Sequence, residues 1–126
     1  MDAYLTPGAE LPATDPAALD RLKRFGGGKL LGEMIALFLA AAPERIAAAR
    51  TAFTGGDVAG AELALHSLKS SSAQLGAMRM QRLSEQGEHR ARGGALDGLP
   101  QLTDELEQEL TRVREWLISV RDVGAA

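Results

Sequence analysis

An all-α fold is expected, an antiparallel up-down-up-down four-helix bundle with a short N-terminal capping helix, and three observations lead to it. Ala and Leu together supply 41 of the 126 residues, whereas Val and Ile supply 7; the first pair favours helix, and the β-branched residues that favour strands are scarce. Apolar residues recur at steps of three and four over several long stretches, the period of a buried helical seam. Glycine-rich breaks between those stretches are short, which makes successive helices antiparallel neighbours. With 45% hydrophobic residues in 126, the chain can bury one core.

Residues 1–14 hold Pro7, Gly8 and Pro12 with little periodicity and read as an extended arm whose Tyr4, Leu5 and Leu11 can pack on the body. The bundle proper is expected over 15–123. Thr14-Asp15-Pro16 opens the short first helix, a capping residue followed by proline at the first helical position. Leu19, Leu22 and Phe25 form its apolar face, and Gly26-Gly27-Gly28 ends it.

The second helix runs from about Lys29 to Ala52 on a seam of Leu31, Ile35, Phe38, Ala42, Ile46, Ala49 and Phe53. Pro43 falls inside it, and because the seam keeps phase across the proline one kinked helix is expected rather than two. Thr54-Gly55-Gly56 stops it. The third starts at Asp57, a good N-cap, and ends near Leu75, with Gly76 as the left-handed stop. The fourth covers Met78 to Arg92, with Met80 and Leu83 toward the core and Gly87 in its middle. After Gly93-Gly94 and Asp97-Gly98, the fifth runs from Leu99 or Pro100 to Val120 or Val123 on Leu99, Leu102, Leu106, Leu110, Val113, Leu117 and Val120. Trp116 and the three Phe residues read as core or boundary packing, and Asp104, Glu105, Glu107, Arg112 and Arg114 fall on wet faces.

Composition excludes several functions. With no cysteine there is no disulfide, thiolate metal site or Cys nucleophile, which fits a reducing compartment. A net charge of −3 with mixed signs lacks the basic footprint of a nucleic-acid binder. Met1-Asp2-Ala3-Tyr4 lacks the order of a signal peptide, and the longest apolar stretch, Met34 to Pro43, is too short for a bilayer. A cytoplasmic location follows as the expectation. Gly26-Gly27-Gly28-Lys29 lacks the spacing of a phosphate-binding loop and any preceding strand, so no ATP site is expected.

One residue breaks the pattern. On a wheel of the third helix, Ala61, Ala64, Leu65, Leu68, Ser72 and Leu75 share one side, and His66 points roughly 150° away from their centre. Around it lie Glu62, Leu63, Lys69, Ser70 and Ala73. Three readings compete: a surface histidine without a role, a metal ligand, and a phosphoryl-accepting nucleophile. Glu62 with His66 and Glu85 with His89 are four apart, whereas bundle di-iron sites use Glu-x-x-His facing inward; neither pair fits, and no metal is assigned. A neutral imidazole is a competent nucleophile near pH 7. It needs outside access, a nearby cation and small neighbours, and His66, Lys69, Ser70 and Ala73 offer these. Ser71 and Ser72 point sideways or inward and are expected to bond back to carbonyls a turn earlier. His89 and Glu88 receive no role, Glu88 as a surface or partly buried carboxylate.

The block His66-Ser67-Leu68-Lys69-Ser70-Ser71-Ser72-Ala73-Gln74-Leu75-Gly76-Ala77 closely resembles the signature of histidine-containing phosphotransfer (HPt) domains, which reads His-x-Leu-Lys-Gly-Ser/Ala, a few residues, then Leu-Gly. Phe38-Leu39-Ala40-Ala41-Ala42-Pro43-Glu44-Arg45 resembles the family's Phe-Leu…Pro-Glu-Arg stretch, and Gly56-Asp57 its Gly-Asp before the histidine helix. The likeness covers roughly residues 15–92. It implies phosphorylation of His66 at Nε2 and neutralisation of the phosphoryl charge by Lys69. It also implies a partner that is a receiver domain of a response regulator or hybrid kinase, whose aspartate and Mg²⁺ carry the transfer. The chain itself would be a carrier rather than an enzyme, without a cofactor, relaying phosphoryl to or from receiver aspartates in a two-component phosphorelay. Leu63, Ser70, Ala73 and Gln74 would meet the receiver. Two departures stand out: Ser70 replaces the usual Gly, and Gly87 replaces a core Leu, which bears on the length and regularity of the fourth helix.

The main rival is a pseudo-HPt adaptor that binds a receiver without carrying phosphate. Others are a dimerising kinase helix pair and a bundle metalloprotein. The helix count suffices for a monomer, and the Met1 start with its arm favours a free-standing protein.

Overall fold

The computed structural model describes residues 13–125, and all but the last two residues of the arm expected over 1–14 lie outside them. Four helices follow in order, α1 (Pro16–Thr54), α2 (Val58–Gln74), α3 (Met78–Arg92) and α4 (Leu99–Ala125). They pack as a ring in which α1 touches α2 and α4, and α3 touches α2 and α4. Short turns reverse the chain between them, which makes the up-down-up-down bundle.

Local chemistry sets the helix ends. Asp15 accepts the Ala17 N–H at 3.1 Å on its side chain, with Pro16 pre-set in the first turn. Asp57 does the same for Gly60 at 2.9 Å. Leu75 closes α2, and Gly76 follows it at φ 74°, a conformation only glycine adopts without strain. A side chain at Gly76 would also strike the Asp15 carbonyl. Asp15 N–H donates to the Gly76 carbonyl at 2.8 Å, and Arg79 N–H donates to that of Ala13 at 3.2 Å. The start of α1 is thereby stitched across the α2–α3 turn as the capping helix.

The glycine triplet divides two helices as expected, and the break is confined to one residue. Only Gly27 leaves helical geometry (φ 75°, ψ −174°), and α1 otherwise continues through Pro43 to Thr54. A single residue in the left-handed region suffices to redirect the axis. Pro43 lies on the exposed side, where water can serve the carbonyl its ring frees. Phe25 is not packed as expected: it is 88% exposed. The cap buries Ala18 and Leu19 against the bundle end, and from Lys23 to Lys29 the chain stands clear of it.

Ile35, Phe38 and Ile46 of α1, Leu65 and Leu68 of α2, Met80 of α3, and Leu106 and Leu117 of α4 make one core, with Phe53 and Trp116 at its edge. By length and composition α1 alone, among the described residues, is apolar enough to cross a bilayer, but its seam from Leu31 to Ala49 faces this core. Gly87 does not make α3 irregular. Its helix is continuous, and a Cβ there would strike Leu102 and lie 2.9 Å from Leu65 Cδ1. The missing side chain lets α3 sit close. On α4, Glu109 is buried beside Leu110, paired with Arg112 at 3.0 Å.

Candidate functional site

The N-cap at Asp57 and the stop at Gly76 fix the rotation of α2, so its five buried residues, Ala61, Ala64, Leu65, Leu68 and Ser72, turn His66 outward. The His66 side chain is 56% exposed. Ser71 Oγ donates to the carbonyls of Ser67 and Leu68 at 3.1 and 3.2 Å, as expected for a helix interior. Ser72 does not follow suit: its Oγ is buried with no hydrogen-bond partner. Leu63, Ser70, Ala73 and Gln74 are all exposed around His66.

The neighbouring helix supplies what the sequence reading left out. On α3 the buried side carries Met80, Ser84, Gly87 and Ala91, and Glu88 shares it. Glu88, expected as a surface or partly buried carboxylate, is 3% exposed. Burying an unpaired carboxylate would be costly, and three donors meet this one. His66 Nδ1 lies 2.7 Å from Oε2, Lys69 Nζ 2.7 Å from Oε1, and Arg92 Nη2 3.0 Å from Oε2. Arg92 in turn gives its Nε–H to Glu62 at 2.7 Å. Burial pushes the Glu88 carboxyl up, but the hydrogen bonds from Lys69 and His66 outweigh it and hold the group below its ordinary value. Arg92 is held above its ordinary value, first by Glu62 and then by Glu88.

An ionised carboxylate only accepts hydrogen bonds. The 2.7 Å contact therefore puts the ring proton of neutral His66 on Nδ1 and leaves the lone pair on Nε2. Among the described residues no protein group bonds Nε2. Beside the ring lies an open hollow of about 400 Å³ lined by Ala59, Glu62, Leu63, His66, Glu88 and Arg92. The arrangement is that of an oriented, accessible nitrogen nucleophile with two cations close by.

Glu88 and Arg92 were missed because their partners lie on another helix. The available signal was phase: Glu88 recurs in step with Met80, Ser84 and Ala91, and an acid on a core face calls for a cation. His89 is exposed and lines a separate hollow with Arg82, Glu85, Gln86 and Arg90. No group of three or more potential ligands is placed to hold a metal among the described residues.

A family model described as Hpt domain matches residues 33–116. The crystal structure of histidine-containing phosphotransfer protein B (HptB) from Pseudomonas aeruginosa PAO1 is similar at a TM-score of 0.83 and 25% identity, over 90% of this chain and 97% of that one. The HPT domain of a sensor hybrid histidine kinase from Shewanella superposes at a TM-score of 0.72 with 23% identity, again over 90% and 97%, and shares the fold. No curated protein matches the chain.

Proposed function

The chain belongs to the Hpt-domain family, and from that footing we propose that it is a phosphorelay carrier that accepts a phosphoryl group on His66 from a receiver-domain aspartate and returns it to another. The lone pair of Nε2 forms the N–P bond while the P–O bond to the aspartate breaks, and that electron pair leaves with the carboxylate. The Nδ1 proton stays in place, and the imidazolium that results is stabilised by Glu88. Lys69 acts as a point charge toward the phosphoryl oxygens from its place on Glu88. Phosphoryl transfer asks mainly for positioning and charge stabilisation, and this chain supplies the first at His66 while the receiver supplies the metal-assisted part. Leu63, Ser70, Ala73 and Gln74 form the rim on which the receiver sits. The working form is a cytoplasmic monomer that requires neither nucleic acid nor membrane.

The observation that carries the reading is the His66–Glu88 contact on a ring otherwise open to solvent. Incubation with phosphorylated receiver domains tests it: the wild type takes up phosphate that is acid-labile and base-stable, and His66→Gln takes up none while keeping its helical circular dichroism. Uptake by His66→Gln overturns the assignment, and receiver binding without uptake by the wild type makes the chain an adaptor.

A further inference from the structure

Resting on that reading, we propose that Glu62 restrains the carrier. It holds Arg92 away from the phosphoryl group, so the lifetime of phosphorylated His66 is set by competition for one guanidinium. Before phosphorylation the four charged side chains around the ring balance, Glu62 and Glu88 against Lys69 and Arg92. A phosphoryl group on Nε2 adds nearly two negative charges, and a cation must turn to it.

The two cations are not equally free. Lys69 is 28% exposed and bonds Oε1 of a carboxylate that is almost wholly buried; withdrawing it leaves that oxygen bare, whereas Oε2 keeps the ring Nδ1 when Arg92 turns away. Arg92 is 58% exposed, and its closest partner, Glu62, is 32% exposed. Water can take over at Glu62 with little penalty. Arg92 also shares Glu88 Oε2 with the ring Nδ1 and lines the same hollow as His66. It is therefore the cation placed to change partners, and Glu62, one helical turn before His66, opposes the change both by holding Arg92 and by its own charge.

The direction of the effect follows from the transition state. Loss of the phosphoryl group passes through a loose, metaphosphate-like state, which carries less charge on the oxygens than the bound group does. A cation on those oxygens stabilises the bound form more and slows its loss. Arg92 and Glu62 are thus positioning residues with opposite signs.

The test uses the full chain in a His89→Gln background, so that one imidazole is read, phosphorylated with phosphoramidate and freed of donor. Decay of the phosphohistidine signal is followed by ³¹P NMR at neutral pH. Glu62→Gln lengthens the half-life about two- to five-fold and Arg92→Ala shortens it by a similar factor, the size of an exposed charge contact. Arg92→Lys recovers part of the loss, and the gain from Glu62→Gln disappears when Arg92→Ala is also present. A general loss of structure shortens all lifetimes and cannot produce the opposite signs. Unchanged half-lives, or a gain that persists in the double variant, overturn the restraint while leaving the carrier intact; failure of the background protein to take up any phosphoryl overturns both.

Discussion

Nδ1 of His66 and Oε2 of Glu88 stand 2.7 Å apart across two helices, one residue half open to solvent and the other almost fully enclosed. The enclosed member is fixed by its own helix and by Lys69 and Arg92, so it serves as the reference to which the open ring is oriented. Positioning therefore runs from a buried, triply bonded group to an exposed ring.

Replacing Glu88 with Gln keeps the shape and removes the charge. The amide can present either its oxygen or its NH₂ to Nδ1, so the ring proton is no longer confined to one nitrogen. Uptake from a phosphorylated receiver is expected to slow by about tenfold, the scale of a hydrogen bond to a charged group. Long-range ¹H–¹⁵N spectra of the ring are expected to show both tautomers. A single Nδ1–H tautomer with unchanged uptake in Glu88→Gln would remove the carboxylate from the mechanism.

The same carboxyl makes stability depend on pH. Its folded-state pKa lies below the ordinary Glu value, so its contribution is complete above that ordinary value, about 4.3. It is lost as pH falls through the lower folded value. Urea unfolding of the wild type and of Glu88→Gln, compared from pH 7 downward, is expected to show the wild type weakening more steeply below about pH 4. Parallel curves would mean that the three donors give the ionised form no advantage.

How much of this was legible in the sequence follows from how local each signal is. Asp15-Pro16, Asp57 and Gly76 announce helix ends through bonds spanning two to four residues, and each lies at the end it was expected to mark. His66 was recognisable by its opposition to Leu65 and Leu68. Glu88 was not, because its role depends on the register of α2 against α3 across 22 positions of chain. At the glycine triplet composition shows that a break is permitted, and the structure places it at Gly27 alone, between the cap and the long helix.

Lys69 keeps a contact that the sequence could not show, since its ammonium rests on Glu88 at 2.7 Å. Lys69→Ala is expected to slow phosphoryl uptake onto His66 on the order of tenfold, the lower end of losses seen when a charge-stabilising donor is removed. Glu88 retains His66 and Arg92, so the helical circular dichroism and a cooperative melt should persist. A transfer rate equal to wild type would place Lys69 outside the site and leave it as a partner of Glu88 alone.

Gly87 links the core to the site, because it precedes Glu88 and brings α3 against Leu65 and Leu102. Gly87→Ala gains helix propensity of up to about 1 kcal/mol and loses about 1–3 kcal/mol by overpacking. Leu102 meets the new methyl with its flexible end, but Leu65 is enclosed, so α3 must move outward and the net change is expected to be destabilising by about 1 kcal/mol. That movement carries Glu88 away from His66, and phosphoryl uptake should fall together with the melting temperature. If Gly87→Ala melts higher than the wild type and transfers phosphate normally, the close approach of α3 does not position Glu88, and the glycine serves only to fit the core.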